Sequence, residues 1–131
     1  MAERSFIGLH AGAHFAGAET FNRYLAANRA AIEAAGLAPV APHSPFDAGW
    51  MDAPLPEAGT AVADLPGFAA ALTAAMRPAT GPGMRGLVLS RPDLAGSAAE
   101  VVSGSFFRSA GLRATALRLA LGRPVDMLVF A

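Results

Sequence analysis

Residues 9–25 read LHAGAHFAGAETFNRYL, and the fold turns on them. The apolar run SFIGLH at 5–10 enters a glycine-containing turn and then a helix, the local arrangement of an anion-cradling loop. Residues 5–10 alternate poorly, as expected of a strand buried on both faces in a parallel sheet. The helix that follows places Phe21, Tyr24, Leu25, Asn28, Ile32 and Ala35 at helical spacing, with Glu19 in the first turn and Gly36 as the stop. At Phe15, where such a loop would aim a lysine at the anion, the chain has an aromatic ring.

The rest of the chain repeats this alternation. LAPVA at 37–41 reads as a short second strand, which Pro39 confines to a sheet edge. Residues 42–64 form a proline-rich loop with room for a short helical piece. Asp64 is a candidate N-cap for LPGFAAALTAAMR, with Leu65, Phe68, Leu72 and Met76 on one face until Pro78. RGLVLS at 85–90 is a further buried strand. Ser109 is a candidate cap for AGLRATALRLAL, in which Leu112, Ala116, Leu119 and Ala120 face inward, Arg113 and Arg118 face solvent, and Gly122 ends the helix. PVDMLVFA closes the chain as a last strand. Strands alternating with helices predict a single α/β domain over residues 1–131, a three-layer sandwich on a short, mostly parallel sheet. A parallel strand at the end of the chain lacks a covering helix, which implies a protein partner or a second copy over it.

Composition excludes several functions. The chain has 131 residues, 53% hydrophobic and 15% charged, with zero formal net charge; an average domain is about 25% charged. No basic footprint for nucleic acid exists, and no apolar run approaches the ~20 residues of a membrane span. All ten basic residues are arginine, which removes Schiff-base chemistry and a phosphate-contacting lysine. There is no cysteine, so thiolate catalysis and disulfides are absent. The first residues lack the apolar region of a signal peptide, which makes the cytoplasm the expected compartment. His10, His14 and His43 do not have helix-face metal spacing and read as ordinary loop and strand-end histidines. Phe46, Trp50 and Met51 admit two readings: an exposed partner contact, or aromatics that the long loop buries against the sheet.

Over residues 7–37 the sequence resembles the bacterial sulfotransferase family, a branch of the P-loop nucleotide-binding fold. That family opens roughly as His-x-Gly-x-x-Lys-Thr-Gly-Thr-Thr followed by a helix. His10, Gly12, His14 and Gly17 stand in register with it, and GLVLSRPDLAGS and LRATALRLALGRPVDMLVFA resemble later family segments in the same order. The resemblance implies a P-loop-like fold corresponding to about the N-terminal half of a family domain, incomplete at the 3′-phosphate site of the donor. It also implies a degenerate anion loop. Phe15 replaces the lysine, Ala16 the first threonine, and Ala18 and Glu19 the next hydroxyl residues, while the Glu19 carboxylate takes the positive end of the helix dipole. The resulting expectation is a non-catalytic structural or interaction module with no cofactor. The alternative is an atypical sulfotransferase or nucleotide-binding protein that uses 3′-phosphoadenylyl sulfate.

Overall fold

The computed structural model describes residues 6–10, 18–41, 47–79, 83–91, 93–94, 100, 104, 108–123 and 125–129. In chain order these form β1 (Phe6–His10), α1 (Ala18–Ala27), α2 (Arg29–Ala34), β2 (Leu37–Val40) and α3 (Asp47–Asp52). A 3₁₀ turn (Val62–Asp64) leads into α4 (Leu65–Met76), and a second (Arg77–Ala79) precedes β3 (Gly86–Ser90), α5 (Ala110–Leu121) and β4 (Met127–Val129). The strands form one sheet in the order β2-β3-β1-β4, and every pairing is parallel.

That order fixes the layers. The connection from β1 to β2 runs toward one edge, whereas those from β2 to β3 and from β3 to β4 run toward the other. Right-handed crossovers then place α1 and α2 on one face and α4 and α5 on the opposite face. Side-chain alternation agrees. Ile7, Leu9, Ala38, Val40, Leu87 and Leu89 join Trp50, Leu72, Met76, Ala116 and Leu117 in one buried cluster, and α4 packs on α5 over it. His10 and Ser90 lie on the other face, against Phe21 and Asn22 of α1. The main apolar core thus lies on one side of the sheet, and a polar network on the other.

Several local expectations hold for identifiable reasons. β2 pairs with β3 alone among the described strands, so Pro39 sits at an edge where its missing N–H is tolerated. Gly36 and Gly122 close their helices with φ of 81° and 70°, a conformation that a Cβ disfavours. Leu65, Ala69, Leu72 and Met76 form the buried stripe of α4, with Phe68 partly buried beside it.

Others are corrected. The first helical segment is two helices that meet at Asn28, whose side-chain amide and backbone N–H both donate to the Tyr24 carbonyl, at 2.9 Å and 3.0 Å. Tyr24 is exposed to solvent. Neither Asp64 nor Ser109 makes a side-chain capping bond; both have helical φ and ψ, unlike a cap residue. The buried stripe of α5 is Arg113, Ala116 and Leu117, while Leu119 is 54% exposed. The stripe is displaced because the Arg113 guanidinium finds carbonyl partners inside the fold, which a periodicity based on apolar residues does not register. No helix among the described residues is long and apolar enough to cross a membrane.

Candidate functional site at the carboxyl ends of strands 1 and 3

In an open parallel sheet, ligands bind beyond the carboxyl ends of the strands where adjacent connections depart in opposite directions. Here that point lies between β1 and β3. His10 and Ser90, the last residues of the two strands, are register partners across it.

Both are buried, and Ser90 links His10 to Asn22 in a polar chain. The Ser90 hydroxyl donates to Asn22 Oδ1 at 2.6 Å and lies 3.0 Å from His10 Nδ1. A hydroxyl has one proton. With that proton directed at Asn22, Nδ1 must carry the imidazole hydrogen and donate it to Ser90, leaving Nε2 as a bare acceptor. Nε2 is buried and has no hydrogen-bond partner, and the ring stacks on Phe21 with centroids 4.3 Å apart. Burial pushes His10 below its ordinary value of 6.5, so the imidazole is neutral at pH 7. A neutral acceptor lone pair at this position does not complement phosphate or sulfate oxygens.

The serine–histidine geometry has the form of a nucleophile and base, but Ser90 has no exposed surface and its proton is directed away from the imidazole.

Arginine, the residue best suited to anion recognition, is also committed nearby. Arg91 follows β3 and is buried. It donates to the Trp50 carbonyl at 2.9 Å and the Met51 carbonyl at 3.3 Å and pairs with Asp93 at 2.8 Å. Its guanidinium also lies 5.9 Å from the centre of the Trp50 ring. Arg113 donates to the carbonyls of Pro56 and Asp93 and pairs with the exposed Glu57 at 3.2 Å. The two arginines tie the segment from Trp50 to Glu57 onto the carboxyl end of the sheet. Trp50 has no exposed surface and donates from Nε1 to the Ser90 carbonyl at 2.8 Å. Of the two readings of this segment, the structure adopts the inward one for Trp50: it anchors the domain's own loop and presents no surface to a partner. Met51 is partly buried against the same core.

Of the residues singled out in the sequence, His10 occupies the switch point, and Glu19 falls in the first turn of α1. Gly12, His14, Phe15, Gly17, His43 and Phe46 lie outside the described residues. Among the described residues no group of three metal-ligating side chains assembles. Asn22, Ser90, Arg91 and Arg113 were not anticipated as a network. Their only sequence signal is a polar residue directly after an apolar strand or within a helical stripe. Comparison with protein-family models, with curated proteins and with solved structures finds no match for this chain.

The neutral histidine has a measurable consequence. Because His10 has a lower pKa folded than unfolded, the unfolded chain binds more protons in acid, and stability falls with falling pH. The contribution is complete above about pH 6.5 and is lost as the pH drops through the lowered value. Urea midpoints are expected to be lower at pH 5 than at pH 7.5, with a smaller difference in His10→Asn. An identical pH dependence in the variant would assign the effect to other groups.

Proposed function

We propose that this chain is a non-catalytic, sulfotransferase-like α/β domain that serves as a structural or protein-interaction module. The observation that carries the reading is the state of the switch point. Its serine bonds to both its histidine and its asparagine, its two arginines bond to the domain's own carbonyls and carboxylates, and its histidine is neutral and buried. A transferase acting on an anionic donor needs the opposite arrangement, with donors and positive charge aimed at the site of the transferred group. Phe15, Ala16 and Glu19 supply neither at the sequence positions where the family has its lysine and hydroxyl residues. Among the described strands β4 pairs with β1 alone, which leaves an edge that a protein partner could extend or cover.

The test is a calorimetric titration of the folded chain with adenosine 3′,5′-bisphosphate at low salt. No heat of binding is expected. Micromolar binding, worth roughly 8 kcal/mol, would overturn the reading in favour of a nucleotide-dependent sulfotransferase.

A further inference from the structure

The two faces of the sheet are held by different chemistry. Among the described residues, neither α1 nor α2 contributes to the main apolar cluster. The buried side chains described on α1 are Asn22 and Leu25, and α2 has none. One leucine therefore accompanies a set of polar and aromatic contacts. Asn22 accepts from the Ser90 hydroxyl, and Phe21 stacks on the His10 ring. A helix seated on so little apolar area opens at a lower free-energy cost than the core on the opposite face.

His10 is placed so that a proton unseats this helix. Its Nδ1–H is already given to Ser90, and its Nε2 is buried without a partner. Protonation at Nε2 creates a donor with no acceptor and a charge in a desolvated site, and both cost free energy. Movement of Phe21 away from the ring admits water and relieves both. The elements packed against the ring carry few charged groups. Arg91, next to Ser90, is a cation paired with Asp93. Asp126 stands at the opposite end of β4 from His10 and accepts from the Ile7 N–H. On α1 the charged residues are Glu19 and the exposed Arg23. Burial lowers the proton affinity of His10 while α1 is seated, which is the sign needed for acid to favour the released form.

We propose that α1 is an acid-released flap: protonation of His10 lifts it from the sheet while the core formed by α3, α4 and α5 stays folded. Release uncovers Leu25 and the His10–Ser90 pair. It is independent of the interaction-module reading.

Amide hydrogen exchange of the whole chain, corrected for the pH dependence of intrinsic exchange, tests the flap by comparing α1 with α4 at pH 7.5 and pH 5. With an ordinary histidine value of 6.5, the ratio of released to seated α1 rises about tenfold for each pH unit below it. Exchange in α1 is therefore expected to be up to about 30-fold faster at pH 5, while α4 keeps its protection. Trp50, the sole tryptophan, lies in the opposite core, and its fluorescence should not change over the same range. His10→Asn lacks the titrating group, so its α1 exchange should be the same at both pH values, whereas Glu19→Gln should respond like wild type. Joint loss of protection in α1 and α4, or α1 exchange that ignores pH, overturns the proposal. So does a His10→Asn chain with the wild-type response, or a Glu19→Gln chain without it. Should His10→Asn fail to fold, the comparison of the two helices in the wild type decides alone.

Discussion

Replacing Trp50 by alanine is expected to destabilise the domain by about 3–5 kcal/mol, the range for emptying a buried aromatic site. The side chain has no exposed surface and belongs to the main core. Its Nε1 supplies a donor to the Ser90 carbonyl, which the variant leaves unpaired in a buried setting. It also removes the ring beneath the Arg91 guanidinium, loosening the tie that holds residues 50–57 across the sheet. Because domains of this size are stable by only about 5–15 kcal/mol, the variant forfeits a large fraction of the total. The measurement is urea unfolding followed by circular dichroism, since Trp50 is the sole tryptophan and its removal abolishes the fluorescence signal. Trp50→Phe keeps most of the apolar volume and loses the donor, so its midpoint should fall between those of the other two proteins. A loss below 1 kcal/mol in the alanine variant would show that the loop does not depend on this anchor.

Gly86→Ala is the second large effect, and it arises from overpacking. Gly86 lies in β3 opposite both Phe6 of β1 and Leu37 of β2. A Cβ there would stand 2.1 Å from the Phe6 carbonyl oxygen and 2.9 Å from the Phe6 carbonyl carbon and nitrogen. These are backbone atoms held in the ladder, so no side-chain rotation relieves the clash, and the strands must part at the start of the sheet. A cost of about 3 kcal/mol or more is expected, at or above the upper end of the overpacking range. Gly67→Ala in α4 is the natural comparison. Nothing lies within 4 Å of its added Cβ, and relief of glycine's entropy in a helix should stabilise the domain by up to about 1 kcal/mol. Thermal melts of the two variants should therefore shift in opposite directions. A Gly86→Ala protein with wild-type stability would contradict the register of β1 against β3.

The strand–helix alternation, the parallel sheet and the edge position of Pro39 were legible in the sequence because each follows from local chemistry. Buried parallel strands appear as short apolar runs, glycine stops helices by adopting positive φ, and a proline lacks the donor that an interior strand must supply. The absence of lysine and cysteine excluded amine and thiolate chemistry from composition alone.

What the sequence left open depends on which residues meet across long separations. The inward side of α5 departs from the apolar spacing at Arg113 and Leu119, because Arg113 resembles a surface residue until the carbonyls of Pro56 and Asp93 are brought within reach of it. Trp50 could have faced either way, and its burial rests on an acceptor at Ser90 and a cation at Arg91, some forty positions along the chain. The protonation of His10 belongs to neither strand by itself. Its neutral state follows from burial and its tautomer from the Ser90 hydroxyl proton directed at Asn22, an arrangement that only the pairing of β1 with β3 and the packing of α1 bring together. Local propensity and composition thus determined the elements and the chemistry that is absent. The tertiary structure decided where the polar groups are spent, because hydrogen bonding and desolvation depend on neighbours that sequence spacing does not specify.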